Sequence, residues 1–397
     1  MGTATKIEWA NHTASPWYGC QHAELPSGGA HPGCLNCYAE AMSKRNPGTL
    51  GEWGPAGVRF VSKSFRKNCR RWNEKALKER RRYSVFPSLC DPFEEWSGNL
   101  HFTEKNDQGE TESTIAWWRH DIGVCRAGEI TVDHSRSERL ATMEDCRSDL
   151  FSLIDKCQQL DFLLLTKRPQ NVLTMWPPVD KTEWARRQRT LEWSNIARRS
   201  GLHRPNVRLI YSASDQESLG LGVVDLMKCN HLATVIGLSL EPLIGPIDLT
   251  KIQMPGAKTG LHFDALKPND DRYFEAEDHI KWIIVGGESG PGARPCDIQW
   301  IRSIIAQCRA AGVACFVKQL GSNAVDSSRR DVWCNGKHHY TRPKTDPDGV
   351  LAEAGTRPGY SVTDHQLSRL LTDKKGGDWN EWPEDLRVRE FPEVSLA

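Results

Sequence analysis

The sequence has no large excess of charge and no long hydrophobic run. It contains 52 Lys and Arg residues against 51 Asp and Glu residues, which leaves a formal net charge of +1. A chain so balanced has no global field that attracts nucleic acid or a membrane, so any electrostatic recognition must be local. No apolar stretch approaches the length of about 18 residues that indicates a membrane span, and no hydrophobic signal segment stands at the N-terminus. We therefore expect a soluble, cytoplasmic protein without a membrane partner.

The chain also lacks the two common glycine motifs that bind nucleotide phosphates. Its glycine-rich block, GGESGPGARP at residues 286–295, is neither G-x-G-x-x-G nor a P-loop, and it has no lysine to hold a β- or γ-phosphate. This argues against a nucleoside triphosphate site. Glycines directly after a strand, such as Gly286 and Gly287, let a ligand approach the backbone closely. A tight turn with positive φ is the other explanation, and both stay open.

Cysteine, by contrast, is abundant, with 13 residues, an odd number. In a long chain without a secretory signal this favours reduced thiols and a metal site over disulfides. Three cysteines lie close together near the N-terminus: Cys20 and, after thirteen intervening residues, the C-x-x-C pair Cys34 and Cys37. Three thiolates are one ligand short of a closed tetrahedral zinc site, and they suit a four-iron cluster whose last iron binds a substrate or cofactor.

A structural zinc ion is the alternative interpretation of the same loop. Its ligands would be Cys20, Cys34 and Cys37 together with His22 or His31. Such an ion would make the loop structural and would leave the rest of the site without a cofactor.

Short apolar runs alternate with helical segments, which is typical of parallel β-α-β units. Seven strands with crossovers predict an α/β fold, a TIM-like (β/α) barrel of parallel strands that is partial or nearly closed. The predicted strands are Lys6–Trp9, Ser84–Leu89, Phe162–Thr166, Val207–Ser212, Ala233–Leu240, Trp282–Val285 and Ala314–Val317. The clearest helix precedes the last strand, with apolar residues at spacings of three and four from Ile301 to Ala311, and Gly312 ends it.

Two stretches interrupt this alternation. Residues 97–142 and 250–279 are polar, turn-rich and too long for ordinary connections, so we expect insertions at the rim of the barrel. The predicted organisation is a barrel over residues 1–320 that carries both insertions. A C-terminal extension over residues 321–397 would then pack on the barrel.

Polar residues follow nearly every predicted strand. In a parallel α/β barrel these positions converge on the face that carries the chemistry. The residues that follow the second, third, fifth and sixth strands are Asp91, Lys167, Arg168, Glu241 and Glu288. Cations suit a carboxylate or phosphate, and carboxylates suit amines or ribose hydroxyls. Asp91, Glu241 and Glu288 are therefore candidates for catalysis, and Lys167 and Arg168 for ligand binding.

A helix predicted within residues 61–82 would carry a basic stripe. Its cations recur at spacings of three and four, which places them on one face: Lys63, Arg66, Lys67, Arg70, Arg71, Lys75 and Lys78. Such a stripe can track a phosphate backbone, and Trp72 would add a residue for stacking on bases. A solvated helix face, balanced by acidic residues elsewhere, is the other explanation.

Six short sequence blocks follow one another along the chain: TKIEW at 5–9, PGCLNCYAE at 32–40, LTKRP at 165–169, SLEPL at 239–243, the glycine block, and WPEDLRVREFP at 382–392. Together they resemble a phage-encoded protein family whose members look like divergent radical S-adenosylmethionine (SAM) enzymes. The resemblance implies a partial or full (β/α) barrel with a [4Fe–4S] cluster on the loop after the first strand.

The resemblance also implies roles for individual residues. Cys20, Cys34 and Cys37 would bind the cluster, Tyr38 or Trp17 would shield it, and Gly286, Gly287, Lys167 and Arg168 would bind SAM. Glu288 would either bind SAM as well or face the substrate. The cluster, reduced by a flavodoxin- or ferredoxin-type electron donor, would cleave SAM to a 5′-deoxyadenosyl radical that abstracts hydrogen from the substrate. Two features depart from the family pattern. The usual cysteine spacing is C-x3-C-x2-C, whereas here thirteen residues separate Cys20 from Cys34. The family's glycine-glycine-glutamate triplet normally follows an early strand, whereas here the triplet follows a late one.

With the phage resemblance, the basic stripe favours a base in DNA, or a nucleotide, as the substrate. A base inside a duplex has to be flipped out to reach a buried radical. The predicted function is a radical SAM enzyme that modifies or rearranges a substituent of a base, thymine above all, in phage DNA or a nucleotide. The choice between isomerase, lyase and transferase stays open. The alternative is a zinc-stabilised, non-catalytic DNA-binding protein of a phage.

Overall fold

The computed structural model describes residues 5, 7–106, 108–119, 123–126, 139–177, 201–254, 260–268, 279–328, 330–334, 337–341 and 371–393. Within these ranges, no helix is both long and apolar enough to cross a membrane. The fold is mixed α/β and is built around one large parallel sheet.

Seven parallel strands form this sheet, in the same order in space as in the chain. They are β1 (His12–Thr13), β2 (Tyr83–Phe86), β3 (Leu160–Thr166), β4 (Arg204–Ala213), β5 (Ala233–Leu240), β6 (Trp282–Gly286) and β7 (Ala314–Gln319). Right-handed crossovers that all advance in the same direction along a sheet place the connecting helices on one of its faces. A sheet covered in this way curls. It is a curled half-barrel, so the predicted partial barrel of parallel strands is confirmed.

The helices among the described residues are α1 (Tyr38–Arg45), α2 (Pro47–Leu50), α3 (Phe65–Glu79), α4 (Met143–Lys156), α5 (Val172–Met175), α6 (Gln216–Met227) and α7 (Ile298–Ala311). The four longest, α3, α4, α6 and α7, contribute to one apolar cluster with the outer face of the sheet. The helix predicted before the last strand is confirmed as α7. Gly312 ends it with a φ of +70°, a conformation that glycine adopts without a Cβ clash.

A separate apolar cluster fills the concave face of the half-barrel, where alternate strand residues point away from the helices. Trp9 belongs to this cluster and packs against Phe86, with ring centroids 4.6 Å apart. The predicted strand Lys6–Trp9 is therefore wrong. Lys6 lies outside the described residues, Glu8 and Trp9 form a turn, and β1 supplies the first strand. Burial of Trp9 inside the half-barrel, rather than strand pairing, accounts for the apolar pattern.

The other six predicted strands are confirmed: β5 has the predicted bounds, and the other five have shifted ends. The largest shifts are three residues, at the start of β4, which begins at Arg204 instead of Val207, and at the end of β2, which ends at Phe86 instead of Leu89. Pro87 follows directly, and because proline has no N–H to donate to the sheet it ends the pairing.

The first insertion builds most of a second, six-stranded sheet. It supplies strands Leu100–Lys105, Thr111–Arg119, Gly123–Arg126 and Arg139–Leu140, which join Trp17–Tyr18 and Arg59–Val61. The stretch from Thr111 to Ile115 is exposed throughout. It therefore has little of the apolar alternation from which a strand is predicted.

The second insertion forms a short hairpin, in which Ile252–Gln253 pairs with His262–Phe263. Its residues Ile252 and Phe263 are buried in the outer core. Residues 255–259 and 269–278 of this insertion lie outside the described part of the chain.

After residue 320, Ala324–Val325 pairs with Cys296–Asp297, and Arg330–Cys334 forms a hairpin with Lys337–Thr341. Residues 371–393 then return to the barrel, where the amide of Glu390 donates to the carbonyl of Cys315 over 2.9 Å. This segment covers part of the free edge of β7. Residues 342–370 of the predicted extension lie outside the described ranges.

Candidate active site

A cavity of about 800 Å³ opens at the carboxyl ends of the parallel strands. Open α/β sheets bind ligands at this edge, and small-molecule sites typically measure roughly 300–1,000 Å³. The cavity wall contains most of the site residues predicted from the sequence: Cys20, Cys34, Cys37, Tyr38, Asp91, Lys167, Arg168, Glu241, Gly287 and Glu288. The strand ends therefore converge on one cavity.

The three loop cysteines lie on one side of this cavity. Cys34 ends the 3-10 helix Pro32–Cys34 and Cys37 caps α1, so the C-x-x-C turn joins these two elements. Burial raises the pKa of the Cys20 thiol, and the nearby Cys34 thiol raises it further. Burial likewise raises the pKa of Cys34, which Cys37 raises and Lys167 lowers. All three thiols thus face the same cavity.

A fourth cysteine, Cys90, lines the same cavity. Burial raises the pKa of its thiol well above the usual value, and the adjacent Asp91 and Cys20 add to the effect. Its place directly after the predicted strand Ser84–Leu89 was the sequence signal for it.

No group of three or more His, Cys, Asp or Glu side chains in the described ranges is arranged to hold a single metal ion. Of the two histidines in the zinc alternative, His22 has its Nε2 2.8 Å from Glu40 Oε2. His31 accepts a hydrogen bond from the amide of Gly33 at Nδ1 (3.1 Å), which puts its proton on the buried Nε2. Burial, followed by Lys167, lowers the pKa of His31 to about 3, so it stays neutral.

Arg168 ties the cysteine loop to the end of β3. Its guanidinium donates to Asp91 Oδ2 (2.9 Å) and to the carbonyl of Gln21 (2.8 Å). Asp91 also accepts hydrogen bonds from the Thr166 hydroxyl (2.7 Å) and the Lys167 amide (3.1 Å). Asp91 was predicted as a catalytic residue. In the structure both of its carboxylate oxygens accept hydrogen bonds from protein donors, so Asp91 anchors the end of β3.

A buried ion pair that contacts the cysteine loop was not predicted from the sequence. The guanidinium of Arg59 donates to both oxygens of Glu94, over 2.7 and 3.1 Å, and both side chains are fully buried. Glu94 Oε1 also accepts the amide of Gln21 (2.6 Å), next to Cys20. Burial raises the pKa of Glu94, while Arg59 opposes the shift. The pair therefore fixes the backbone beside the first cysteine.

Glu288 holds the C-x-x-C turn from the opposite side of the cavity. Its Oε2 accepts hydrogen bonds from Asn36 Nδ2 (3.1 Å) and from the Arg294 amide (2.8 Å), and its Oε1 accepts from the Arg294 guanidinium (2.7 Å). Burial acts to raise the pKa of Glu288, but the bonds from Arg294 and Asn36 lower it below the usual value. Both oxygens are thus engaged. Asn36 was not among the predicted residues, although its place between two cysteines could have drawn attention to it.

The glycines before Glu288 are required by the close approach of β6 to the chain that follows β7. A Cβ on Gly287 would lie 2.2 Å from the carbonyl oxygen of Leu320. A Cβ on Gly286 would lie 2.9 Å from the Glu241 Oε1 atom. Gly287 lines the cavity, and Gly286 leaves room for the Glu241 carboxylate.

Two charged side chains of the cavity wall have a polar atom without a hydrogen-bond or ion-pair partner in the described ranges. Glu241 Oε2 accepts from Lys318 Nζ (3.2 Å), but Oε1 is buried without a hydrogen-bond partner in the described ranges. The Lys167 ammonium likewise has no ion pair or hydrogen bond there. A buried carboxylate oxygen without a donor is costly unless water or a ligand supplies one. Tyr38, predicted to shield the cluster, donates its hydroxyl to the carbonyl of Ser88 (2.7 Å) and exposes its ring to the cavity.

The predicted basic stripe lies on and just before α3, and none of its members lines the large cavity. Lys63, Lys67, Arg70, Arg71, Lys75 and Lys78 are exposed. Arg66 forms an ion pair with Asp149. The expectation for Trp72 is wrong, because its side chain is only 4% exposed and stacks on His12, with ring centroids 4.1 Å apart.

A family model described as "Protein of unknown function (DUF5131)" matches residues 4–104 and 135–375. These ranges contain the cysteine loop and all seven strands of the parallel sheet. No curated protein and no solved structure matches the chain.

Proposed function

The chain belongs to the DUF5131 family, a family of unknown function, and we propose from its cavity that it is a radical SAM enzyme built on a partial TIM-like barrel. One observation carries the proposal. Three thiols from one loop, those of Cys20, Cys34 and Cys37, line a cavity at the carboxyl edge of a parallel half-barrel. These cysteines would hold a [4Fe–4S] cluster that binds SAM. When bound and reduced by an external electron donor, such a cluster would provide the one-electron chemistry that cleaves SAM and generates a radical able to remove hydrogen from an unactivated carbon.

The thiols that line the cavity are the ligand type that iron–sulfur clusters take in proteins. A cavity of about 800 Å³ also has room for a nucleoside-bearing cofactor. Ligation requires thiolates, so metal binding must supply the free energy that deprotonates thiols whose pKa burial has raised.

The wall residues divide into those that hold the loop and those that meet ligands. Arg168, Asp91 and Glu288 have their polar atoms committed to protein partners, so they position the cysteines. Lys167, whose ammonium has no ion pair within the described ranges, lies near Cys34 and suits the carboxylate of SAM. Glu241 presents an oxygen that no described residue satisfies, which suits a hydrogen bond or a proton from the substrate.

For the substrate, we propose a base of DNA or a nucleotide, with a thymine substituent as the reacting group. The exposed cations of α3 support this choice, because a stripe of this kind can follow a phosphate backbone. A base in a duplex would have to leave the stack to enter the cavity. The electron would come from a flavodoxin- or ferredoxin-type partner in the cytoplasm, where thiols stay reduced.

Anaerobic purification tests the proposal. We expect a brown protein with stoichiometric iron and sulfide, bleached by dithionite, that cleaves SAM to 5′-deoxyadenosine. Cys37→Ala should remove the iron, whereas Cys229→Ala, a buried cysteine outside the cavity, should retain it. A colourless protein with one zinc per chain and no SAM cleavage would contradict the proposal and support the zinc-stabilised DNA-binding alternative.

A further inference from the structure

The rim of the cavity carries two lysines to which the roles above give no part. Lys374 and Lys375 line the cavity and are exposed. Neither side chain makes an ion pair or hydrogen bond with any residue that the structure describes. By contrast, the deeper cation Lys318 is paired with Glu241. The rim therefore carries positive charge that no described acid neutralises through an ion pair.

The turn that bears these lysines is fixed to the barrel. The carbonyl of Gly376 accepts the amide of Leu320 (2.8 Å) and the indole N–H of Trp382 (3.0 Å). The Glu381 carboxylate accepts the backbone amide of Thr372 (3.0 Å). Because the backbone is held on both sides of the lysines, the turn that carries their side chains has a defined position at the rim of the cavity.

An acid on the same turn, Asp373, also lines the cavity but forms no ion pair with either lysine among the described residues. Asp373 Oδ1 accepts the backbone amide of Lys375 over 2.8 Å. Two adjacent ammonium groups, each a compact point charge, suit a group that carries two negative charges and several oxygens. A phosphate monoester has both properties, a phosphodiester of a nucleic-acid strand carries one negative charge, and a neutral nucleoside carries none.

We propose that Lys374 and Lys375 bind a phosphate group of the substrate as its base enters the cavity. The inference rests on the proposed function only in taking the cavity as the substrate site. It makes the substrate a phosphate ester, either a mononucleotide or a nucleic-acid strand, and it gives the C-terminal segment a part in substrate recognition. The contact is separate from the α3 stripe, which lies outside the cavity.

Equilibrium binding to the full chain, purified anaerobically, tests this site. The probes are thymidine, thymidine monophosphate and a fluorescent single-stranded oligothymidylate. With Lys374→Gln/Lys375→Gln, we expect the monophosphate to bind about tenfold more weakly, as when a hydrogen bond to a charged group is lost, and thymidine to bind as before. For the oligonucleotide, the slope of log K against log salt should fall by about 0.7, the value for one phosphate of a single strand.

Two further variants complete the design. Lys156→Gln/Arg309→Gln removes the same charge from exposed positions outside the cavity and should leave all three affinities unchanged. Lys67→Gln/Lys78→Gln tests the α3 stripe. Equal binding of the monophosphate to the wild type and the rim variant, or no binding to either, overturns the proposal. So does a loss of oligonucleotide binding that only the α3 variant produces.

Iron content and SAM cleavage are measured on the same preparations. A protein that binds the monophosphate through the rim lysines but holds no iron contradicts the radical SAM function and leaves the phosphate site standing. A protein that cleaves SAM but binds the monophosphate independently of the two lysines contradicts the phosphate site and leaves the radical SAM function standing.

Discussion

The side-chain amide of Asn36 donates a hydrogen bond to Oε2 of Glu288 over 3.1 Å, although 252 positions separate the two residues in the chain. Asn36 lies between Cys34 and Cys37, and Glu288 lies two positions beyond the end of β6. The guanidinium of Arg294 binds the same carboxylate at 2.7 Å. The geometry of the C-x-x-C turn therefore depends on a loop from the other half of the sheet.

Asn36→Ala should loosen this turn without unfolding the chain, because Arg294 still neutralises Glu288. A hydrogen bond to a charged group contributes about 1.5–3 kcal/mol. We therefore expect iron loading after anaerobic reconstitution, and the rate of SAM cleavage, to fall about tenfold. Iron analysis and the electron paramagnetic resonance spectrum of the reduced protein measure the change. Asn380→Ala, at an exposed position of the C-terminal segment, is the matched control. Normal loading of Asn36→Ala would show that the turn does not need this anchor.

Glu94→Gln should destabilise the whole fold, because it leaves the guanidinium of Arg59 buried without its carboxylate. Breaking a buried pair in this way typically costs about 3–5 kcal/mol. Urea unfolding of the cluster-free protein measures the loss, which should appear as a lower midpoint with an unchanged slope. Arg302→Gln breaks a more exposed pair with Asp385 and should cost no more than about 1 kcal/mol. Similar costs for the two variants would contradict the role assigned to the buried pair.

How far the sequence predicts this structure depends on whether the signal is local. The buried strands β3 to β7 are nearly continuous apolar runs, typical of parallel strands covered on both faces, so their positions follow from the sequence. The ends of such strands converge by topology alone, which is why the position of Lys167 or Glu241 at the cavity could be anticipated.

The partners within the cavity could not be anticipated in the same way. Arg59 and Glu94, or Asn36 and Glu288, meet only after the chain folds, and no periodicity links them. Trp9 shows the opposite error, since an apolar pattern predicts burial but does not say whether a strand or a turn provides it.

Asp145→Asn should reveal an acid-dependent part of the stability. Burial acts to raise the pKa of Asp145, but Arg139 and Thr142 donate to its oxygens over 2.7 and 2.8 Å and lower the pKa below its usual value. The folded pKa is thus below the unfolded value of about 3.9, so the contribution is complete above that pH and is lost as pH falls through the folded pKa.

We therefore expect the variant to be less stable than the wild type by about 1 kcal/mol at pH 7, the scale of a helix cap. The gap should close below about pH 4. Chemical unfolding at pH 7 and pH 3 measures the two values, with Glu74→Gln on the exposed face of α3 as the control. A gap that does not change with pH would mean that the ion pair with Arg139 contributes nothing.

Glu241→Gln separates chemistry from cluster binding. The amide keeps the shape of the side chain but removes the charge from the oxygen that has no donor among the described residues. Since positioned acids and bases contribute about 10²–10⁴-fold to rate, turnover of a thymine nucleotide, followed by mass spectrometry, should fall by at least about a hundredfold. Iron content should stay unchanged. Glu288→Gln, in which the anchor of Asn36 is weakened, should lose iron instead. If the purified Glu241→Gln variant also lacks iron, Glu241 supports the cysteine loop, and its assignment to the substrate is wrong.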